Sequence, residues 1–177
     1  MEFRVASGVD TDSLVLPSET GTFDGAYSSF ALSYERDLES VRRTLARAVR
    51  PEGLAVLALM NRCCAIEFAI SAVALRPALA WRRLATATRH KVGEVDVLVY
   101  PRSAWEAARI FAPSFRLVSL RALPALVPPY YFNRPLKRWP ALLEALERVD
   151  PVLCPVPIFR LVGDHTIITL RRNFPAD

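Results

Sequence analysis

The most constraining feature of this sequence is an amphipathic segment that leads directly into a continuous apolar run. Asp37 precedes the segment, and Pro51 and Gly53 follow it as stop signals, so the pattern predicts a helix between them. Its apolar positions recur at helical spacing and are Leu38, Val41, Leu45, Ala48 and Val49. The next six residues, 54–59, read LAVLAL, which is typical of a strand that is covered on both faces.

A second strand is predicted before this helix, at residues 22–30 (TFDGAYSSF). The order strand, helix, buried strand is typical of a βαβ unit in a parallel sheet, which favours an α/β fold. A chain of 177 residues fits a single domain, and we find no repeat or linker that divides it.

Further elements follow from local patterns along the chain. Ser103 and Glu106 have the spacing of a capping box, which predicts a helix that begins there and runs through Phe111. Residues 63–84 are helical in pattern with a break near Pro77, and 128–140 form a loop rich in proline and aromatic residues. The remaining predictions are strands at residues 2–6, 95–100, 115–123 and 166–171, and a short helix at 141–149.

Charge and cysteine usage narrow the class of protein. There are 23 basic and 18 acidic residues, giving a net charge of +5, and all but two of the basic residues are arginines interleaved with acids. This scatter favours solvated arginines over a nucleic-acid interface. Cys63, Cys64 and Cys154 are an odd set with an adjacent pair, which predicts a reducing compartment; because the start lacks a signal peptide, we expect a cytoplasmic protein. The histidines and cysteines have no metal-ligand spacing, so we expect no metal.

The apolar stretch at residues 54–81 is the one place where a membrane span needs to be considered. Asn61, Arg62, Glu67 and Arg76 interrupt it, so no run of about 18 uncharged residues remains. A buried strand followed by an amphipathic helix explains it better, and we expect no stable membrane insertion. Attachment of the 63–84 segment to a membrane surface is a weaker alternative.

Several motifs together resemble class I S-adenosylmethionine-dependent methyltransferases. In that family one strand has the pattern F-D-x-x-x-S-N-F-A-L, the next helix ends in L-R-P-G-G, and an apolar strand follows. In this sequence residues 23–32, 49–53 and 54–59 occupy the corresponding positions. GVDTDSLVLP resembles the family's G-D-A-E-D-L-P turn, and GDHTIITLRR resembles its last strand. The resemblance implies a Rossmann-like sheet, mostly parallel with an antiparallel last strand, and S-adenosylmethionine as the cofactor.

The departures from the family pattern concern the cofactor side. No two of the six glycines stand in a G-x-G turn, and the acid that ends the family's second strand has no counterpart. The matches begin at the family's third strand, so we expect a domain over 1–177 that is truncated at the N-terminal side. The family's strand order then leaves strands three, four, five, seven and six.

The resemblance also places cofactor-binding residues. Asp10 falls where an acid accepts a hydrogen bond from the adenine amine, and Thr11 follows it; the alternative is that Asp10 only sets a turn. Ser28, Ser29 and Phe30 end the strand that meets the methionine part of the cofactor, with Ser29 replacing the family's asparagine.

The acceptor side has fewer candidates. His165 begins the last strand beside the expected active site, so it is a candidate general base or is fixed by Asp164. His90 is expected to be solvated. Residues 61–102 are expected to be an insertion that covers the substrate. Within it the apolar residues 65, 68, 69, 72 and 73 form a stripe, which faces either a pocket or the core. The expected pocket residues are Tyr34, Phe68, Tyr130 and Tyr131.

The sequence therefore predicts methyl transfer to a small, apolar organic acceptor, by a fragment that is inactive alone. Another chain supplying the missing N-terminal half is an expected partner. The alternative is a non-catalytic partner or scaffold built on the same half-fold. A G-x-G turn encoded upstream of Met1 would favour the enzyme, and a stop codon there would favour the scaffold.

Overall fold

A four-stranded mixed sheet forms the centre of the computed structural model, which describes residues 15, 17–129 and 138–174. In chain order the strands are β1 (Phe23–Ser29), β2 (Val49–Met60), β3 (Thr88–Val92), β4 (Val95–Val99), β5 (Phe115–Leu123) and β6 (His165–Arg172). The main sheet has the order β1-β2-β6-β5, and β3 and β4 form a separate hairpin. The helices are α1 (Leu38–Ala48), α2 (Ala65–Val73), α3 (Pro77–Leu84), α4 (Ala104–Phe111), α5 (Pro140–Leu153) and α6 (Phe159–Val162).

The strand directions match the predicted sheet. β1 and β2 are parallel, whereas β6 is antiparallel to both β2 and β5. Three strands therefore run one way and the last strand runs the other way, in the order that the resemblance implies for strands four, five, seven and six. The strand predicted at residues 2–6 lies outside the described residues, and β3 was not predicted.

Local chemistry explains the best-predicted elements. The Asp37 side chain accepts a hydrogen bond of 3.0 Å from the Ser40 amide and so caps α1, as its position before the helix indicates. Glu52 has a φ of 64° where the family has a glycine. Its carboxylate lies 2.6 Å from Arg116 and 3.4 Å from Arg171, and these contacts hold this unusual conformation between α1 and the apolar part of β2.

One face of the main sheet, which we call the closed face, carries the hydrophobic core. Its strand residues pack on α1 and α4, where Leu38, Val41 and Phe111 are buried. The closed-face residues are Ala55, Leu57, Leu59, Phe115, Leu120, Ile168 and Leu170, all buried. Since burying apolar area stabilises a fold by roughly 25 cal/mol per Å², this layer supplies most of the apolar stabilisation.

The opposite face of the same strands, the open face, is only partly covered. Cross-strand pairs place Tyr27, Val56 and Thr169 side by side on it, and Leu54 pairs there with Arg171. Tyr27 is 75% exposed, Leu54 is exposed, and Val56 is half-buried. A sheet with parallel strands is normally covered by helices on both faces, so this sheet has one face without that cover among the described residues.

The helix α2 buries polar residues and exposes apolar ones, the reverse of an ordinary amphipathic helix. It buries two polar residues, Glu67 and Ser71, while Ala69, Ala72 and Val73 are exposed. Of the two interpretations of the apolar stripe, the one in which it faces the core is therefore wrong, and the physical reason is an ion pair that Glu67 makes inside the protein. Across the residues that the structure describes, no helix has both the length and the apolar character that a membrane span needs.

The predicted capping box at Ser103 is half confirmed. Ser103 Oγ accepts a hydrogen bond of 3.1 Å from the Glu106 amide, but the Glu106 carboxylate pairs with Arg62 at 3.1 Å rather than with the Ser103 amide. Arg62 competes for it because residues 61–62 pass directly beside the start of α4.

We therefore expect Ser103→Ala to lower the free energy of unfolding by about 0.5–2 kcal/mol, since one amide of the first helical turn loses its acceptor. Urea denaturation measures this change. Ser119→Ala, at an exposed position on β5, is the matched control and should change stability by less. Equal effects of the two substitutions would show that the cap contributes nothing.

Candidate functional site

All four strands of the main sheet meet at one of its edges, which we call the carboxyl edge. The strands β1, β2 and β5 end there at Ser29, Met60 and Leu123, and the antiparallel β6 begins there at His165. Met60 pairs directly with His165 across the two strands. In open α/β sheets this edge is where ligands bind, so it is the first place to look for a site.

Phe30 lies at this edge in a strained conformation. It has a φ of 61°, in the left-handed region that a bulky residue rarely adopts. Its amide donates to the carbonyl of Ala58 at 3.1 Å, and its ring meets the His165 ring edge-on with 4.6 Å between centroids. Strain of this kind costs on the order of 1–3 kcal/mol and is concentrated at functional sites.

His165 is held in place by its neighbour. Its Nδ1 lies 3.1 Å from a carboxylate oxygen of Asp164, as one of the two sequence interpretations expected. With Nδ1–H donating to that carboxylate, the other ring nitrogen carries the lone pair that a general base needs. The arrangement is thus compatible with both interpretations, and the role of His165 as a base stays a prediction.

Asp164 connects His165 to a buried ion-pair network centred on Arg83. The Arg83 guanidinium donates to the carboxylates of Glu67 and Asp164 and, at 2.9 Å each, to the main-chain carbonyls of Asn61 and Asp164. Burial alone would raise the pKa of Asp164, but the hydrogen bond from His165 and the charge of Arg83 outweigh it, so the pKa is lowered. Asp164 is therefore charged at neutral pH.

The same network explains a cluster that resembles a metal site. Ligand atoms of Cys64, Glu67 and Asp164 all lie within 4.8 Å of one another. Arg83 pairs with both carboxylates and provides the positive charge there. Burial raises the pKa of the Cys64 thiol to about 11, so that at neutral pH it is not the thiolate that binds metals. We interpret the cluster as an ion-pair network.

The structure describes four of the other predicted site residues, namely Ser28, Ser29, Tyr34 and Phe68. Ser29 is exposed at the end of β1, whereas Ser28 points to the closed face, where its hydroxyl is buried without a partner among the described residues. Tyr34 ends a short 3-10 turn and is half-exposed, and Phe68 is half-buried on α2. Asp10, Thr11, Tyr130 and Tyr131 lie outside the described residues.

Sequence reasoning missed the roles of Arg83 and His90. His90 was expected to be solvated, but it is half-buried, and its pKa is lowered first by burial and then by the charges of Arg82 and Arg83. Arg83 is one of many arginines, and the only signal for it was Glu67 at a position that a core-facing helix would leave to an apolar residue.

Residues 61–102 leave the sheet and return to it at the same point. Asn61 and Arg102 form an isolated parallel bridge, and the Arg102 amide donates to the Met60 carbonyl at 3.1 Å. The Arg102 guanidinium reaches the carbonyls of Glu35 and Arg36 in the segment that follows β1. The segment therefore leaves and rejoins the sheet at the carboxyl edge, and between these two points it forms two helices and a hairpin, α2 to β4.

Comparison with known proteins gives similarities of structure only. No protein-family profile and no curated protein matches the sequence. A Pyrococcus horikoshii protein, PH0226, is similar with a TM-score of 0.53 and 11% identity, over 97% of this chain and 59% of that one. A Listeria monocytogenes protein named as an S-adenosylmethionine-dependent methyltransferase is similar with a TM-score of 0.52 and 11% identity, over 88% of this chain and 64% of that one. For a Mesorhizobium loti S-adenosylmethionine-dependent methyltransferase the TM-score is 0.47 and the identity is 18%, over 92% of this chain and 67% of that one.

The fold is that of the class I S-adenosylmethionine-dependent methyltransferases, as the sequence motifs imply. The chain spans between 59% and 67% of the length of these three proteins. The sheet order and the antiparallel β6 agree with this fold, and the carboxyl edge lies where such a fold binds its ligands.

We expect Arg83→Met to destabilise the protein by about 3–5 kcal/mol, because Glu67 and Asp164 would then be buried charges without their partner. Chemical denaturation measures this loss. The double variant R83M/E67L should recover part of it, because one of the two buried charges is removed as well.

Arg148→Met is the control for Arg83→Met. Arg148 pairs with Glu144 on the exposed surface of α5, so its replacement should cost less than about 1 kcal/mol. Similar losses at the two positions, or no recovery in the double variant, would contradict the proposed network.

The lowered pKa of Asp164 also predicts a pH dependence. Its carboxylate contributes stability above its unfolded pKa, near the ordinary value of 3.8, and this contribution is lost as the pH falls through the lower folded pKa. Denaturation at a series of acidic pH values should give Asp164→Asn a shallower loss of stability than the wild type. Parallel curves would contradict the lowered pKa.

Proposed function

We propose that this chain forms the acceptor side of an enzyme that transfers a methyl group from S-adenosylmethionine to a small, apolar organic molecule. The observation that supports this most is the carboxyl edge, where strained Phe30 packs against His165 at 4.6 Å within a methyltransferase fold. Fixed groups at this edge can orient an acceptor against the reacting carbon, and orientation is the main task in a displacement of this kind.

The residues of this chain fit one flank of the cofactor. Ser29 is exposed at the edge and Phe30 follows it, and both are the proposed contacts of the methionine part of S-adenosylmethionine. Asp10 and Thr11 are proposed for the adenine side on the resemblance alone. The other flank needs a glycine-rich turn and a ribose-binding acid, and the sequence has no G-x-G. The fit is therefore partial, and Ser28, which points to the closed face, is the weakest of the proposed contacts.

The chemistry asked of the protein is modest. The cofactor supplies a methyl group that is already activated. The chain must hold the acceptor, exclude water and, where the accepting atom carries a proton, remove it. His165, fixed through Nδ1 by Asp164, is the proposed base. Tyr34 and Phe68 are the proposed walls of the acceptor pocket, together with Tyr130 and Tyr131, and residues 61–102 are its proposed cover.

A second polypeptide segment that completes the fold is the proposed partner. β1 pairs only with β2 among the described strands, and its other edge is the proposed place for a parallel strand of the partner. The open face next to it carries exposed Tyr27 and Leu54, which helices of that segment would cover. Such a segment would bring the glycine-rich turn to the end of β1 beside Ser29.

A non-catalytic partner or scaffold is the second candidate function. It is favoured by the open face and by the edge of β1 that no described strand occupies, because both could bind another subunit. The two functions differ at the carboxyl edge: an enzyme requires Ser29 and Phe30 to contact the cofactor, whereas a scaffold does not.

We expect the 177-residue chain alone to bind S-adenosylmethionine weakly, because several hydrogen bonds worth about 1.5–3 kcal/mol for each charged group are missing. Isothermal titration calorimetry should detect no binding at micromolar concentrations. A chimera that adds the glycine-rich half of a class I methyltransferase at the N-terminus should bind at least a hundredfold more tightly, about 2.7 kcal/mol.

Two substitutions in the chimera separate enzyme from scaffold. Ser29→Trp fills the proposed cofactor edge and should abolish the gained affinity, whereas Arg109→Trp, at an exposed position on α4 away from the open face, should retain it. Micromolar binding by the short chain would contradict the proposed alignment. A chimera that folds but binds no better than the short chain would favour the scaffold.

A further inference from the structure

The two helices of the 61–102 segment expose an apolar surface that the proposed pocket does not account for. Val73 and Leu75 are each 87% exposed and Trp81 is 67% exposed, and Ala69 and Leu84 on the same two helices are exposed as well. Ala69 and Val73 also line a shallow, almost entirely apolar groove on α2 with Ile70 and Ala74. We call Ala69, Val73, Leu75, Trp81 and Leu84 the outward surface.

The buried ion pair determines which way these residues point. Glu67 on α2 and Arg83 on α3 pair with each other inside the protein, so the sides of the two helices that carry these residues point inward. Ala69 and Val73 lie on the side of α2 opposite Glu67, and Trp81 and Leu84, three residues apart, share the side of α3 away from Arg83. The apolar residues are therefore held outward by a network that would be costly to break.

The exposed charges on the two helices of the outward surface and on the turn between them are positive. Residues 68–84 contain no aspartate or glutamate, and their exposed basic residues are Arg76 and Arg82. The hairpin that follows carries both signs, with Lys91 opposite Asp96. Arg76 lies between the two helices, next to Leu75. A surface with this charge would attract an anionic partner and would not bind a second, like-charged copy of itself.

We propose that the outward surface docks on a membrane that contains anionic phospholipid. Helices of nine and eight residues are far too short to span a bilayer, but they can lie in its interface. Tryptophan is favoured at the depth of the lipid headgroups, valine and leucine enter the acyl boundary, and arginines bind the phosphates. The combination of Trp81, Val73 and Leu75 with Arg76 fits this layer better than it fits an acidic protein groove.

This inference does not depend on methyl transfer, since it uses only the outward surface. The test is flotation of the full chain with vesicles of phosphatidylcholine mixed with phosphatidylglycerol, and with vesicles of phosphatidylcholine alone. The anionic vesicles should carry the protein at low salt and release most of it in high salt. In a W105F/W139F variant, the emission of Trp81 should shift to the blue when anionic vesicles are added.

Matched substitutions locate the contact. Trp81→Ala should weaken binding to the anionic vesicles by at least fivefold, whereas Trp139→Ala, at a position 65% exposed before α5, should not change it. Arg76→Glu changes the charge of the surface by two, and it should weaken binding by about fivefold for each unit of charge. Arg148→Glu on α5 should have little effect. Near-ultraviolet circular dichroism confirms that each variant is folded.

Three results would overturn the proposal. One is no flotation with either vesicle, which would leave an acidic protein as the alternative occupant. Another is equal, salt-independent binding to both vesicles. The last is an equal loss of binding in the Trp81 and Trp139 variants, which would mean that the contact lies elsewhere.

Discussion

The arrangement of the carboxyl edge depends on the burial of a single guanidinium. Arg83 joins α3 to α2 through Glu67 and to the start of β6 through Asp164, and Asp164 in turn holds His165. A buried charge is tolerable only when it is paired on all sides, so the polar face of α2 must point inward. The position of the candidate base and the outward turn of the apolar residues follow from the same contact.

How much of this could be predicted from the sequence differs between the sheet and the site. The βαβ unit around α1 and the last strand could be predicted, because their apolar periodicity and caps are local signals, as at Asp37. The inverted helix α2 could not, because its orientation depends on Glu67 meeting Arg83, sixteen residues away, and local periodicity contains no information on that pair. Phe30 was predicted as a site residue, but its left-handed backbone depends on how β1 ends against β2.

The main sheet shows a second asymmetry, between its two faces. The closed face is packed by α1 and α4, whereas the open face displays Tyr27 and Leu54 beside an edge of β1 that no described strand occupies. Strands that are apolar on both faces, as LAVLAL in β2 is, require cover on both. The proposed functions share this requirement, and they differ in what the covering segment brings to the carboxyl edge.

The central claim is that the carboxyl edge is the side of this chain that meets the cofactor. Weak binding is still visible by nuclear magnetic resonance, so the most direct measurement is a titration of the isotope-labelled chain with millimolar S-adenosylhomocysteine. The account predicts that the largest amide shifts lie at Ser29, Phe30, Asn61 and His165. Shifts centred instead on the β3–β4 hairpin or on α5, or no shifts at any concentration, would contradict it.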